Sequence, residues 1–286
     1  MTKLIIDCDP GHDDAIAILF AARHVELLGI TTEFGNHRVE RTTDNALRLM
    51  ALADLDIPVA RGCDEALVEA RSDGTALHGA TGMDGATLPP PKSEALPVHA
   101  TEFLIEQARQ HQGELVLAIT GAQTNVALAL KLEPRLRHWL RGITIMGGTA
   151  GIGNVRPMAC INVASDPEAA AIVFASGVPI HWAGYEFTRT VLMGEPDIER
   201  LRSSGRKVAA AVADLCAFYR ERTRAVMGLD GAPMHDPCAI VPLVQPGLIT
   251  YEDVAIEVAL APGPSRGMAI HLWMESTAVH TLTAKA

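Results

Sequence analysis

Short apolar runs of strand length alternate along this chain with longer stretches of helical periodicity, and that alternation narrows the fold more than any other feature. Leu4–Asp7 is apolar and partly β-branched, as a strand buried on both faces must be. His12–Arg23 follows, with Ile16, Leu19 and Phe20 at helical spacing. Leu27–Thr32 reads as a second strand. Arg38–Ala53 reads as a helix with Val39, Ala46, Leu49, Met50 and Ala53 on its apolar side, and Pro58–Ala60 as a short strand. Leu115–Ile119 and Ile143–Met146 are further buried strands, each running into a loop rich in Gly or Thr. Pro167–Ser176 is a helix that ends at Gly177, Val178–Trp182 the next strand, and Lys207–Val226 a long helix. Val254–Leu260 and Met268–Trp273 form a pair near the C-terminus. This order predicts an α/β fold, a mostly parallel central sheet with helices on both faces, open and Rossmann-like. A single domain over residues 1–286 is expected. Ligands in such sheets bind beyond the carboxyl ends of the strands, where the polar motifs of this chain fall. The stretch Arg71–Ser93, with Gly74, Gly79, Gly82, Gly85 and Pro89–Pro91, reads as a long surface loop able to close over a site.

Lys plus Arg number 24 and Asp plus Glu 34, a net charge of −10, so neither a nucleic-acid backbone nor an anionic membrane suits the surface. Five cysteines, an odd number without a C-x-x-C pair, argue for a reduced, cytoplasmic setting. The N-terminus enters a strand at once and carries no signal-peptide pattern. No run of about 18 apolar residues predicts a membrane span.

The sharpest local signal is Asp7-Cys8-Asp9-Pro10-Gly11-His12-Asp13-Asp14, four carboxylates within eight residues. Asp7 and Asp9 are two apart, which a strand directs to one side. Pro10-Gly11 makes a turn, and Asp13 and Asp14 enter the first turn of the next helix, where N–H groups favour negative charge. Like charges this close need a cation or hydrogen bonds. Hard oxygen ligands suit Ca²⁺ or Mg²⁺, and no Cys/His cluster lies here to suit Zn²⁺. Helix capping needs one carboxylate, not four.

The run Asp-x-Asp-Pro-Gly-x-Asp-Asp is similar to the N-terminal signature of the inosine-uridine nucleoside hydrolase family. Further blocks follow in the family's order to about residue 245: Thr31-Thr32-Glu33-Phe34-Gly35-Asn36, Thr120-Gly121-Ala122-Gln123-Thr124-Asn125, Met146-Gly147-Gly148 with Gly153-Asn154, Asn162 with Asp166-Pro167-Glu168-Ala169-Ala170, and His235-Asp236-Pro237. The resemblance implies the nucleoside hydrolase fold and calcium-dependent cleavage of the bond between ribose and base. It implies a Ca²⁺ bound by Asp9, Asp14, the backbone carbonyl of Thr120 and Asp236, with a water and two ribose hydroxyls completing the shell. Asp9 would be the general base and His235 the general acid beside the leaving base. Asp13, Asn36 and Asn162 would hold ribose hydroxyls, with Met146 in the ribose loop and Asn154 on the 5′ side. His78 and Tyr219 would lie at the base, and the assembly would be a dimer or tetramer. One departure is clear: the family's Glu-Phe-Asn block reads Cys160-Ile161-Asn162 here, so a ribose-binding carboxylate is replaced by a thiol.

Taken singly, these residues keep plainer readings. Asn36 after Gly35 suits a turn, Asn162 and Asp236 suit helix caps, and His235 suits a cap or a packed ring. His78 suits a solvated loop, while Tyr219 and Trp182 suit the core. Two other functions stay open at this level: an aspartate-nucleophile phosphatase, and a nucleoside or ribose binder that does not turn over.

Overall fold

The computed structural model describes residues 1–69, 75–272 and 279–282. Its strands in chain order are β1 Lys3–Cys8, β2 Glu26–Thr32, β3 Val59–Arg61, β4 Leu115–Ile119, β5 Gly142–Met146, β6 Ile180–Ala183, β7 Leu192–Met193, β8 Ala232–Pro233, β9 Tyr251–Asp253, β10 Ala255–Val258, β11 Ala269–Leu272 and β12 Val279–Leu282. One sheet of eight strands carries the order β3-β2-β1-β4-β5-β6-β12-β9. Its strands are parallel except β9, which is antiparallel to β12. The pairs β10-β11 and β7-β8 stand apart, both antiparallel.

Two apolar layers follow from the period-2 alternation of the central strands. Leu4, Ile6, Val116 and Ala118 face one side, against Ile18, Leu49 and Ile240 from the helices His12–His24, Val39–Ala53 and Pro237–Val244. Ile5, Leu115, Leu117 and Ile119 face the other, against Leu104, Val126 and Val173 from the helices Ala100–Gln110, Thr124–Leu132 and Pro167–Phe174. Burial on both faces explains why these strands read as unbroken apolar runs. Trp182 belongs to this core: it is 1 % exposed, meets Phe174 edge-on, and its indole N–H donates to the Gly147 carbonyl.

The chain winds outward in one direction through β1, β2 and β3 and in the other through β4, β5 and β6. Between β1 and β4 the winding reverses and leaves a crevice at the strands' carboxyl ends. Asp7 pairs with Thr31 on one side and Ile119 on the other, so the turn after β1 and the loop after β4 rise side by side from that crevice. The expected C-terminal pair is realised as β10 and β11, though Trp273 lies outside the described residues. The long loop after β3 contains one helical turn, Thr75–His78, while Arg71–Gly74 lie outside the described residues. No helix among the described residues is long and apolar enough to cross a membrane.

Candidate active site

A cavity of about 130 Å³ opens at this crevice. Its lining brings together Asp13, Asn36, His78, Thr120, Met146, Asn154, Cys160, Asn162, Tyr219, His235 and Asp236, residues drawn from seven separated stretches of the sequence. Asp9 and Asp14 lie directly behind this lining, both buried.

The four aspartates of the opening motif do not share one task. Asp7, the last but one residue of β1, turns its Oδ1 to the Thr31 hydroxyl at 2.6 Å and the Asn125 amide at 2.9 Å. It ties β1 to its neighbours; burial pushes its carboxyl up to about 6. Asp9 follows the strand end. Its Oδ2 accepts the Asn36 backbone N–H at 2.6 Å, while its Oδ1 is buried without a partner. Gly35 makes this approach possible, because a Cβ there would lie 1.9 Å from Asp9 Oδ2 and the backbone sits at φ +155°. Asp14 accepts from the Gly11 N–H at 2.9 Å and the Thr120 hydroxyl at 2.8 Å, so it caps its helix and also binds the loop after β4.

Asp13, Asp14 and Asp236 each offer an oxygen within 4.8 Å of the others. Asp236 precedes Pro237 as a cap would, yet its side chain makes no capping hydrogen bond and is directed into this group. Burial holds the Asp9, Asp13 and Asp236 carboxyls above their usual range, with the charge of a neighbouring aspartate next, and Asp13 rises to about 7. Buried carboxylates so close, one with an orphaned oxygen, fit a hard divalent cation, whose charge would restore them to ordinary ionisation.

The amides prepare acceptors for a polyol. Asn162 donates through Nδ2 to the Thr120 carbonyl at 2.7 Å and the Met146 carbonyl at 3.1 Å, which leaves its Oδ1 to accept. It sits inside the short helix Ile161–Ser165 and is not a cap. Asn36 spends Nδ2 on the Asp9 carbonyl at 3.1 Å and Asp14 at 3.3 Å. Asn154 Oδ1 accepts the Ile161 N–H at 2.9 Å.

The opposite wall is aromatic and imidazole. His235 Nδ1 lies 2.8 Å from the Thr188 hydroxyl, and burial, with the Arg189 guanidinium nearby, lowers His235 to about 3. His78 is buried, 4 % exposed, and its ring stacks on Tyr219 at 5.2 Å, so neither is a solvated loop residue or plain core. Three contributors had no role assigned from sequence. His12 is buried against His78, Thr188 orients His235, and Glu33 accepts the Gln123 and Asn125 N–H groups at 2.8 and 3.3 Å to shape the loop after β4. Their partners are 66, 47 and 90–92 residues away, so no local spacing marks them.

The family profile for the inosine-uridine preferring nucleoside hydrolases matches residues 4–285. The pyrimidine-specific ribonucleoside hydrolase RihA of Shewanella sp. (strain ANA-3) is 41 % identical over 271 residues, which is 93 % of this chain and 85 % of the relative. Among solved structures, a purine-preferring ribonucleoside hydrolase from Gardnerella vaginalis superimposes with a TM-score of 0.92 at 30 % identity, covering 98 % of this chain and 92 % of its own. A plant nucleoside hydrolase gives a TM-score of 0.89 at 32 % identity, covering 99 % and 94 %.

Proposed function

The chain belongs to the inosine-uridine preferring nucleoside hydrolase family and hydrolyses the N-glycosyl bond of ribonucleosides; from that premise we propose that it does so with a bound Ca²⁺ and prefers pyrimidine nucleosides. The observation that carries the reading is a cavity with a carboxylate and amide floor facing a wall of histidine and tyrosine. A ribose diol suits the floor and a heterocyclic base the wall. The pyrimidine preference rests on the 41 % identity to a relative named for it. Five unpaired cysteines, four of them buried, support a reducing, cytoplasmic location, and a dimer or tetramer remains part of this proposal.

Asp9, Asp14, the Thr120 carbonyl and Asp236 would hold the cation, which when bound orients the ribose hydroxyls and acidifies a water. Asp9 Oδ1 has no partner and Asp9 is fixed through Oδ2, so this oxygen is placed to accept the proton of the attacking water. Asp13 and Asn162 Oδ1 accept hydrogen bonds from the ribose hydroxyls and place negative potential beside the cationic sugar as the base departs. His235 carries a proton towards the leaving base. Its Nδ1–H is held by Thr188, whose own hydroxyl reaches the Tyr185 carbonyl at 3.5 Å, so Nε2 is the nitrogen that exchanges.

Initial rates on uridine, cytidine, inosine and guanosine test the reading, with ribose and free base as products. Binding without product at saturating calcium would mark a non-catalytic binder and overturn it.

His235 at about 3 is protonated in only a small fraction of molecules at pH 7. Its contribution as an acid is therefore smaller than the 10²–10⁴-fold, roughly, of a fully populated one. His235→Ala is expected to cost about 10-fold more in kcat on uridine than on a nitrophenyl riboside, whose leaving group needs no proton. Equal losses on both substrates would remove the acid role.

Calcium should stabilise the protein in a pH-dependent way. The folded carboxyls of Asp13, at about 7, and Asp7, at about 6, lie above the unfolded value. Raised acids favour the fold below the unfolded pKa near about 4, and that stability is lost as pH climbs through their folded values. The metal-free protein thus weakens from about pH 4 to pH 7, while the cation loses its competing protons. At about 100 times the dissociation constant, binding contributes about 2.7 kcal/mol, or about 5–10 °C in Tm. Melting curves with chelator and with calcium are expected to differ more at pH 8 than at pH 5; the reverse order would contradict the assignment.

A further inference from the structure

Arg266, in the connection between β10 and β11, is buried, 7 % exposed. An interior guanidinium needs its donors paired. Its Nε donates to Glu69 Oε1 at 2.5 Å, its Nη1 to the Leu260 carbonyl, and its Nη2 to both carboxylate oxygens of Glu168 at 2.8 and 2.9 Å. Glu168 comes from the Asp-Pro-Glu-Ala-Ala block and sits in the first turn of the helix Pro167–Phe174, whose Ala169, Ala170 and Val173 pack in the core. It is a fixed anchor. The second oxygen of Glu69, Oε2, accepts from Arg156 Nη2 at 2.9 Å. Four charges therefore alternate in a row, Glu168, Arg266, Glu69 and Arg156, and the row runs from a core helix to residues 153–159.

Those residues form a tight hairpin that brings Asn154 and Val155 to the cavity wall. Its internal backbone bonds are long: the Ala159 carbonyl is shared by the N–H groups of Asn154, Val155 and Arg156 at 3.2, 3.4 and 3.4 Å. A firm position has to come from the side-chain ties that leave the hairpin. Asn154 gives its Oδ1 to the Ile161 N–H, so its Nδ2 remains to donate. With the diol on the Asp13 and Asp236 floor and the base against His78, the wall that carries Asn154 faces the 5′ carbon. We propose that Arg266, Glu69 and Arg156 are positioning residues, which hold this hairpin so that Asn154 Nδ2 meets the 5′ hydroxyl of the sugar. The inference rests on the nucleoside reading above. The Glu69 and Arg156 side chains are 36 % and 32 % exposed, and ion pairs at such exposure add little to stability. Their loss is therefore read in the site more than in the fold.

Glu69→Gln keeps the shape and removes one of the two acceptors; Arg156→Met keeps the stem and removes the charge. Each should lower kcat/KM on uridine about 3–10-fold, the worth of one hydrogen bond. On 5′-deoxyuridine, which lacks the hydroxyl, each should change it by less than about twofold. Melting temperatures should fall by no more than about 3 °C. Arg156→Lys, whose ammonium can still pair with Glu69, should recover part of the uridine loss. A general weakening of the structure would lower both substrates alike. Equal losses on the two substrates, wild-type kcat/KM on uridine in both variants, or no recovery with Lys would overturn the proposal. Should Glu69→Gln not fold, Arg156→Met at the outer end of the row decides. Failure of the wild type to hydrolyse either substrate would instead overturn the nucleoside reading beneath it.

Discussion

Asp9→Asn is expected to lower kcat by about 10²–10⁴-fold, the usual worth of a general base. The change is nearly isosteric, so its effect is chemical. The asparagine carbonyl can still accept the Asn36 N–H now held by Oδ2 at 2.6 Å. The amide NH₂ then takes the place of the unpartnered Oδ1, where it donates and cannot receive a proton. Removing one buried negative charge from a cluster whose members repel each other should leave stability unharmed or raised. Asp236→Asn should also reduce kcat, and because both residues are assigned to the cation, both variants should lose calcium affinity that elemental analysis can register, Asp236→Asn through an oxygen of the three-carboxylate group. A kcat within about threefold of wild type for a folded Asp9→Asn would assign the base to another residue.

The fold was legible where burial on both faces leaves an apolar run or where one face of a helix repeats. Leu115–Ile119 and Lys207–Met227 are of that kind, and their limits moved by a residue or two at most. The strand expected at Val178 begins only at Ile180, after Pro179, which lacks the N–H a ladder uses. Helix Ala100–Gln110 is not legible in the sequence: its buried Ala100, Phe103, Leu104 and Ala108 do repeat at three and four, but only Phe103 and Leu104 are large, and the flanking alanines give little contrast. In the site, the order of motifs found the cavity lining, because each polar block ends a strand or starts a helix beside it. Spacing could not tell depth. Asp7 and Asp9, two apart, go to different neighbours because the strand ends between them, at Cys8. Nor could it show pairs such as His12 with His78 or Thr188 with His235, which exist only after the chain has folded.

Cys160→Glu is the substitution expected to raise activity. Cys160 is 1 % exposed, lines the cavity, and packs with Met146, Tyr185 and Ala239. Burial pushes its thiol up to about 11, so it carries no charge at pH 7. It is a weak hydrogen-bonding group at the place where the resemblance sets a ribose-binding glutamate. If the diol lies on the Asp13 and Asp236 floor and the base against His78, the remaining wall of Met146, Asn154 and Cys160 faces the 5′ carbon, and only Asn154 there offers a strong polar group. A glutamate at this position would gain backbone N–H donors, because residue 160 precedes the helix Ile161–Ser165 and the N–H groups of Gly148, Ile161 and Asn162 already point to the sulfur. A hydrogen bond to a charged group is worth roughly 1.5–3 kcal/mol, or about 10–150-fold in kcat/KM. A gain in that span is expected on uridine and should vanish on 5′-deoxyuridine, which lacks the hydroxyl. Glu186 is the group that can defeat this expectation. It lies near Cys160, with its Oε1 held by the Thr149 hydroxyl at 2.5 Å and the Ala150 N–H at 2.6 Å, and it can supply the missing negative charge. An unchanged or lower rate in a folded Cys160→Glu variant with normal calcium content would show that Cys160 only packs, and would leave the hydrolase reading intact.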